Sequence, residues 1–174
     1  MRIEGECIYL RKVREDDVED ILKWENDREV WEVSENREEF SRADIEAFIR
    51  SGHDLDRENQ LRLMICDKRS DRNLGCIDLF DYDALHKRAG LGILIYEKND
   101  RRKGYARESI ALLLQYCLNE WSMKQLYCNV LENNEASLSL FESCGFKKTG
   151  TKSSWRKVGD EWLDEHILQF ILHT

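Results

Sequence analysis

The segment RRKGYARESIALLLQYCLNEW, residues 101–121, joins a basic, glycine-centred loop directly to the most strongly patterned helix of the chain. Apolar side chains recur at i, i+3, i+4, i+7, i+8 and i+11, at Ile110, Leu113, Leu114, Cys117, Leu118 and Trp121. This spacing follows the period of an α-helix and predicts one broad buried face.

The loop in front of this helix has the features of an anion site. In Arg101-Arg102-Lys103-Gly104-Tyr105-Ala106, several backbone N–H groups would point in one direction, and the positive end of the helix dipole reinforces them. Gly104 lets the backbone approach a ligand closely, and Ala106 keeps the first helical turn small. We therefore expect a phosphate or pyrophosphate here, although the loop is neither a Walker loop nor a GxGxxG fingerprint.

The periodicity of the remaining chain predicts a sheet interrupted by helices. Strands are predicted at residues 8–13, 61–67, 74–80, 89–96, 126–131, 146–158 and 161–172. Two acidic helices are predicted at 16–26 and 42–51, the second capped by Ser41, and a short helix at 135–143 is stopped by Gly145. The order β-αα-βββ-α-β-α-ββ favours an α/β fold of the α+β type, a mixed sheet with helices on both faces.

Length and composition indicate one cytoplasmic domain. The chain has 174 residues, 41% of them hydrophobic, which suits a single domain over residues 1–174. No segment approaches the roughly 20 apolar residues that span a bilayer, and the N-terminal sequence lacks the apolar block of a signal peptide. The six cysteines form no CxxC pair, so we interpret them as reduced core residues.

Charge is unevenly distributed along the chain. The net charge of −8 argues against a nucleic-acid partner, because phosphate neutralisation needs a basic face. Residues 14–39 hold 12 acidic and four basic residues, whereas residues 97–107 carry a net charge of +3. Two solvated faces would explain this pattern. The alternative is an anionic ligand at the basic segment and a cationic ligand near the acidic one.

A second motif stands about 28 residues after the basic loop. Residues 134–146 read NEASLSLFESCGF and follow a predicted strand. Together the two segments resemble the signature regions of the GNAT N-acetyltransferase superfamily, a [QR]xxGx[GA] loop after the fourth strand and an Nxx[AS]xxx[YF]xxxGF helix after the fifth. The motifs, their spacing and the order of elements agree over essentially the whole chain. Within the superfamily the chain looks most like the RimJ/RimL-type branch, which is similar to spermidine N-acetyltransferases.

The resemblance implies a mostly antiparallel sheet and acetyl transfer from acetyl-CoA to an amine in a ternary complex. The basic loop would hold the pyrophosphate, and the strand at Leu94–Tyr96 would pair with the pantetheine, with one N–H polarising the thioester carbonyl. The helix that begins at Asn134 would close the other side. The implied cofactor-binding residues are Leu94, Ile95, Tyr96, Arg101, Arg102, Lys103, Gly104, Tyr105, Ala106, Arg107, Asn134, Ser137 and Phe141.

The resemblance also implies that the acidic helices and the loop at 27–41 cover the acceptor amine. Carboxylates mixed with tryptophan suit a cationic amine, because an aromatic face attracts an ammonium group. The implied acceptor residues are Glu25, Asp27, Trp31, Glu32 and Glu35. A solvated amphipathic helix with core tryptophans explains the same residues.

The catalytic acid and base are less well defined. Phe141 occupies the position where many members of the family carry a tyrosine that protonates the departing sulfur, and phenylalanine cannot donate a proton. The strand at 89–93 offers no carboxylate, so candidate bases are Asp78, Asp81, Asp83 and Glu132. Asp78 is preferred because it is a charge inside an apolar strand.

Three functions remain open at this level. The leading hypothesis is an acetyl-CoA-dependent N-acetyltransferase acting on a polyamine-like small molecule or a peptide N-terminus. Alternatively, Phe141 marks a weak or inactive acyl-CoA-binding module that acts as a sensor or partner protein, and a nucleotide-binding protein is the third possibility. The histidines have no metal-ligand spacing with any cysteine, so no metal is expected. A homo-oligomer is compatible with the sequence.

Overall fold

The computed structural model describes residues 1–31, 38–51 and 55–172. Its strands are β1 (Arg2–Glu4), β2 (Ile8–Lys12), β3 (Leu61–Asp67), β4 (Asn73–Asp83), β5 (Arg88–Ile95), β6 (Gln125–Leu131), β7 (Lys147–Val158) and β8 (Glu161–Ile171). Its α-helices are α1 (Val18–Glu25), α2 (Arg28–Trp31), α3 (Arg42–Arg50), α4 (Leu55–Glu58), α5 (Tyr105–Trp121) and α6 (Glu135–Ser143). Short 3-10 turns cover Glu15–Asp17 and Lys98–Asp100.

The strands form one eight-stranded sheet in the order β1-β2-β3-β4-β5-β6-β8-β7. Neighbouring strands pair antiparallel except β5 and β6, which run parallel because α5 carries the chain back across the sheet between them. The predicted mixed, mostly antiparallel sheet is confirmed. The candidate site described below lies at this parallel pair, β5 and β6.

Helices cover both faces of the sheet, as predicted. The larger core lies under α5 and α6 and includes Ile110, Leu113 and Phe141. The smaller core lies under α1 and α3 on the other face and includes Ile21, Trp24 and Ile45. In α5 the predicted apolar face is buried, while Leu118 and Trp121 pack at its margin.

Local signals in the sequence account for most element ends. The Ser41 hydroxyl accepts the Asp44 N–H at 3.2 Å, and the Asp44 carboxylate accepts the Ser41 N–H at 2.8 Å, so the predicted cap is a full capping box. Gly145 follows α6 with a φ of +91°, a conformation that favours glycine as a helix stop. The elements absent from the sequence prediction, β1, α2 and α4, have at most four residues each. Such segments are too short to show a period.

A buried ion pair fixes the start of α1 against the sheet. Arg11 on β2 donates from Nη1 to Asp17 Oδ2 and from Nη2 to Asp17 Oδ1, each at 2.7 Å, and Asp17 is 1% exposed. Burial alone would raise the pKa of Asp17, but hydrogen bonds from Arg11 and the Arg14 backbone bring that pKa below its ordinary value. This pair sets where the C-terminal end of α1, with Glu25, lies over the sheet.

The cysteines follow the core expectation only in part. Cys66, Cys76, Cys117 and Cys128 are buried, whereas Cys7 is exposed and Cys144 is half-buried. All six are free thiols. Among the helices in the described ranges, none is long and apolar enough to cross a membrane.

Gly75 permits a close approach between β4 and β5. A Cβ atom added at Gly75 would lie 1.8 Å from the carbonyl oxygen of Leu94, a backbone atom that cannot rotate away. We predict that Gly75→Ala lowers the free energy of unfolding by about 1–3 kcal/mol, the usual cost of overpacking, measured by urea denaturation.

Gly150→Ala on β7 is the matched control, because its added Cβ would meet Ile167 Cδ1 at an ordinary 3.8 Å. We expect this variant to match or slightly exceed the wild type, since alanine loses less backbone freedom on folding. Equal unfolding midpoints for the two variants would contradict the role assigned to Gly75.

Candidate active site between β5 and β6

The parallel pairing of β5 with β6 lasts for only three residue pairs. It joins Arg88–Gly90 to Gln125–Tyr127 and then ends. Beyond that point β5 remains paired with β4, and β6 remains paired with β8. The two strands therefore separate, and a gap opens in the middle of the sheet.

Backbone groups of β5 face this gap. The Tyr96 N–H donates to the Leu74 carbonyl at 3.0 Å, so this N–H and, two residues back, the backbone of Leu94 are directed to β4. Strand alternation turns the backbone of Ile93 and Ile95 to the opposite edge. Of the predicted positions Leu94–Tyr96, Ile95 thus has its backbone at the gap. The backbone of Ile93, which was not predicted, lies there as well.

The basic loop lies at the end of the gap where the strands are farthest from their pairing. Gly104 is the N-cap residue of α5 with φ +87°, and no side chain caps this helix end. A Cβ atom at Gly104 would meet nothing within 4 Å, so the space beside the first N–H groups of α5 is open. Arg102 also has a positive φ, of 63°. An open, backbone-lined cradle of this kind fits a phosphate group.

Two anchors shape the loop, the exposed Arg101 and the buried Asp100. Arg101 donates from Nε to the Ile95 carbonyl and from Nη2 to the Tyr96 carbonyl, both at 3.1 Å. Asp100 is 5% exposed and accepts Arg72 at 2.8 Å and Lys103 at 3.2 Å. Arg101 and Lys103 are therefore engaged in positioning the loop.

The remaining loop residues divide between solvent and packing. The side chains of Arg102 and Arg107 are exposed beside the open helix end, where they add positive charge. Tyr105 is half-buried and donates its hydroxyl to Asp67 Oδ2 at 3.4 Å, and Ala106 packs against the larger core.

On the other side of the gap, the α6 residues have clear structural roles. The Asn134 side chain accepts the Ser137 N–H at 3.1 Å and so caps the helix. Phe141 is 4% exposed, and its ring meets Phe146 edge-on with centroids 5.1 Å apart. Phe141 is thus a core side chain, and its position offers no proton donor.

A cluster of charges lies on the face covered by α1 and α3. Arg62 on β3 donates from Nε to Asp78 Oδ1 at 2.7 Å and from Nη2 to Asp78 Oδ2 at 2.9 Å. Its Nη1 donates to Glu25 Oε1 at 2.5 Å. Asp78 stands opposite Gly92, whose missing side chain leaves the surface between this carboxylate and the gap open. Asp78 and the implied acceptor residue Glu25 are therefore brought together.

Aromatic side chains flank this cluster. Trp24 stacks on Tyr96 with ring centroids 5.8 Å apart, and the Tyr96 hydroxyl donates to Asp27 at 2.8 Å. Burial and this hydrogen bond raise the pKa of Tyr96 to about 12, while the same bond lowers the pKa of Asp27. Trp31 donates its indole N–H to the Glu25 carbonyl at 2.5 Å. Glu32 and Glu35 lie outside the described residues.

The other candidate bases lie in turns or at strand ends. Asp83 accepts the His86 N–H at 2.9 Å, and Glu132 accepts the Asp164 N–H at 2.8 Å. Asp81 and Tyr127 share a hydrogen bond of 3.3 Å beside a cavity of about 840 Å³, which lies where β5 and β6 begin. Among the residues described, no three His, Cys, Asp or Glu side chains are grouped to hold a metal ion.

Arg62 was not predicted from the sequence. Its signal is the single basic residue in Leu61–Asp67, a strand that is otherwise apolar up to its last residue. A buried arginine almost always pairs with carboxylates. That rule predicts carboxylate partners for Arg62 if it is buried. Which carboxylates on β4 and α1 they are is visible only in the fold.

Comparison with known proteins gives three findings. The acetyltransferase (GNAT) domain family matches residues 8–147. The probable N-acetyltransferase YjcK of Bacillus subtilis is 26% identical over 97% of this chain and 96% of its own length, and spermidine N(1)-acetyltransferase of Vibrio cholerae is 26% identical over 53% of each chain. The crystal structure of spermidine N-acetyltransferase from Vibrio cholerae with CoA and spermine superposes with a TM-score of 0.86 at 21% identity, covering 96% of each chain. This likeness shows a shared fold.

Asp100 provides a test of how the loop is held. Burial alone would raise the pKa of Asp100, but its bonds to Arg72 and Lys103 lower that pKa, so the carboxylate is charged at neutral pH. We predict that Asp100→Asn raises the rate of tryptic cleavage after residues 101–103 by about tenfold, which corresponds to about 1.4 kcal/mol of easier local opening. Peptide mapping by mass spectrometry measures this rate.

Asp83→Asn removes a carboxylate from a different turn, where Asp83 pairs with Arg88 at 3.3 Å, and is the control. Cleavage after residues 101–103 should match the wild type in this variant. Equal cleavage in all three proteins would contradict the anchoring role of Asp100.

Proposed function

This chain belongs to the acetyltransferase (GNAT) family, and we propose that it transfers the acetyl group of acetyl-CoA to a primary amine of a small cationic molecule. The observation that carries the proposal is the gap between β5 and β6. A phosphate cradle lies at one end of this gap, and paired carboxylates lie on the face of the sheet covered by α1 and α3. The cradle suits the anionic donor, and the carboxylates suit the cationic acceptor.

The residues of the cradle fit the donor. The first N–H groups of α5, opened by Gly104, together with the exposed side chains of Arg102 and Arg107, would hold the pyrophosphate. The backbone of Ile93 and the N–H of Ile95 would pair with the pantetheine amides along the gap, while the Ile95 carbonyl accepts Arg101. Acetyl-CoA supplies an activated thioester carbonyl that an unprotonated amine can attack.

The chain has its own donors for a carbonyl oxygen that gains negative charge. The N–H groups of Ile93 and Ile95 are directed into the gap and are held there by the pairing of β5 with β4. In other enzymes one such preorganised donor contributes about 3 kcal/mol to the stability of the transition state. Because these are backbone groups, their position depends on the strand geometry and not on the side chains.

Asp78 is the proposed base. Asp78 lies on β4 directly opposite Gly92 of β5, so no β5 side chain at that position separates it from the gap. It would accept the proton that the ammonium group loses, directly or through water. Glu25, Asp27 and the rings of Trp24 and Tyr96 surround the same region and would hold an acceptor of positive charge.

The acceptor class follows from these charges. Several carboxylates beside aromatic rings favour a polyamine-like molecule over a peptide N-terminus, which carries only one positive charge at its end. The similarity to spermidine N(1)-acetyltransferase supports the same choice. Phe141 supplies no proton to the departing sulfur, which is consistent with a slower enzyme, since a general acid usually contributes 10²–10⁴-fold.

The proposal is tested by incubating the purified protein with acetyl-CoA and a pool of polyamines, amino acids and N-terminal peptides. Mass spectrometry of the products identifies an acetylated amine without interference from the protein thiols. We expect a mono-acetylated polyamine. Tight CoA binding without any acetylated product would instead support the acyl-CoA-binding module.

Gly104 gives the sharpest variant for the donor site. We predict that Gly104→Val weakens CoA binding at least about tenfold, or about 1.4 kcal/mol, because the added side chain fills the cradle. Isothermal titration calorimetry with CoA measures the change in Kd.

Gly159→Val is the matched control for the cost of backbone strain. Gly159 also has a positive φ, of 61°, with nothing within 4 Å of an added Cβ, but it lies in the β7–β8 turn. Both variants should lose about 1–2 kcal/mol of stability from the left-handed backbone, and only Gly104→Val should lose CoA affinity. The same loss of affinity in both would remove Gly104 from the donor site.

A further inference from the structure

We infer that the cavity of about 840 Å³ beside Asp81 and Tyr127 is a second binding site for the acceptor, where a positively charged group other than the acetylated amine is held. This space, the distal cavity, has a lining that includes Asn59, Asp81, Arg88, Gln125, Tyr127 and Gln169. The inference rests on the proposed function and narrows its substrate class to amines with at least two ammonium groups.

The distal cavity opens on the face of the sheet that carries Asp78. On β6, Leu126 and Cys128 belong to the larger core under α5 and α6, so Tyr127 between them faces the other way. On β4, Leu79 belongs to the same core, so Asp78 before it also faces the other way. Asp78 and the distal cavity thus share the face of the sheet on which α1 and α3 pack.

Two aromatic rings lie between Asp78 and the distal cavity. Phe80 follows Asp78 by two residues on the same face of β4, and its ring covers Gly90 of β5, where an added Cβ would collide with it. Tyr127 meets Phe80 edge-on, with ring centroids 6.0 Å apart. Gly90 and Tyr127 form the last pair between β5 and β6, so the rings bridge the strands where the gap begins. Such rings pack against methylene groups and attract ammonium groups.

A β-bulge turns Asp81 toward the distal cavity. Strand alternation alone would place Asp81 on the face opposite to Phe80. The pairing of β4 with β5 shifts register between Phe80 and Asp83, and Asp81 has a φ of +50°, which a residue other than glycine seldom adopts. As a result Asp81 lines the cavity, where its Oδ2 accepts the Tyr127 hydroxyl at 3.3 Å. Bulges often redirect a side chain beside an active site in this way.

The charges in the lining favour one cation. Asp83 pairs with Arg88 at 3.3 Å, so these opposite charges face each other. Asp81 is exposed and adds a second carboxylate, hydrogen-bonded to the neutral Tyr127 hydroxyl, which leaves the lining with a net charge of −1. Carbonyl oxygens that could accept from an ammonium group are supplied by the amide side chains of Asn59, Gln125 and Gln169. An ammonium group fits this lining better than a carboxylate or a phosphate does.

The spacing of the two carboxylates suits a flexible diamine. Asp78 and Asp81 are three residues apart on β4, so their Cα atoms are separated by at most about 10 Å. With the reacting nitrogen at Asp78, a linker of several methylene groups would cross the rings of Phe80 and Tyr127 and bring a second ammonium group to Asp81. A monoamine makes only the first of these contacts.

The experiment compares diaminohexane with hexylamine as acceptors at saturating acetyl-CoA. After correction for the two equivalent ends of the diamine, the wild type should prefer diaminohexane in kcat/KM by about fivefold, the upper range for one exposed ion pair. Asp81→Asn should lower kcat/KM for diaminohexane more than for hexylamine and so remove most of this preference. A loss of stability would affect both acceptors equally.

Asp160→Asn is the control for the change in net charge. Asp160 is exposed in the β7–β8 turn, at the opposite end of β7 from the distal cavity, so this variant should keep the wild-type preference.

A second variant fills the distal cavity and leaves Asp81 in place. Thr149 is exposed on β7 and lines the cavity, so Thr149→Trp should also reduce the preference for diaminohexane. Thr151→Trp is its control, because Thr151 lies on the same strand with its hydroxyl 3.0 Å from His166 Nδ1. An unchanged preference in both Asp81→Asn and Thr149→Trp would overturn the inference and leave acetyl transfer intact. A uniform loss for both acceptors in Asp81→Asn, as expected of a catalytic base, would also overturn it.

A second readout does not need turnover. Isothermal titration calorimetry of diaminohexane into the protein saturated with CoA should give a Kd about fivefold higher for Asp81→Asn than for the wild type. Equal Kd values in the two proteins would contradict the second binding site. If the wild type acetylates no amine but this difference in Kd is present, the proposed function fails while the binding site stands.

Discussion

The pairing between β5 and β6 ends after three residue pairs, and the candidate site depends on that separation. A continuous sheet would use every backbone N–H and C=O of Ile93 and Ile95, and no ligand could pair with them. Here β5 stays with β4 and β6 stays with β8, so the sheet opens between its two halves. The gap is therefore produced by the strand topology, and the side chains around it do not create it.

Several contacts fix β5 and the basic loop on one side of the gap. The close approach of Leu94 to Gly75 holds β5 against β4, and Arg101 ties the carbonyls of Ile95 and Tyr96 to the loop. Asp100 anchors the same loop through ion pairs with Arg72 and Lys103. The loop and the open strand edge are thus joined by hydrogen bonds and ion pairs, and such preorganisation would limit the entropy lost on binding the proposed donor.

Opposite charges converge on this gap from different parts of the chain. The start of α5 brings positive charge to the donor end, while α1 brings Glu25 to Arg62 and Asp78. The buried Arg11–Asp17 pair fixes the first turn of α1, so the last turn reaches the charge cluster in a set position. A chain of net negative charge thus carries a local basic segment at the start of α5, where we propose that the anionic donor binds. In the proposed scheme Phe141 supplies no proton, and the other groups belong to the backbone or to Asp78.

The sequence by itself determined the family and the order of the longer elements, and it predicts the donor loop. These follow from local signals: the apolar period of α5, the glycine in front of it, the Ser41 cap and the Asn134–Phe146 motif are all read within a few residues. The family match over residues 8–147 confirms the resemblance. The RimJ/RimL branch and the site residues remain predictions.

Only the tertiary structure decided the rest. It showed that Ile93 and Ile95, and not Leu94, direct their backbone into the gap, because that depends on register with β4. It placed Phe141 in the core and two cysteines outside it. It also joined Glu25, Arg62 and Asp78, which are 37 and 16 residues apart along the chain. Periodicity tells which face of an element is buried, but partners brought together across strands and helices exist only after the chain has folded.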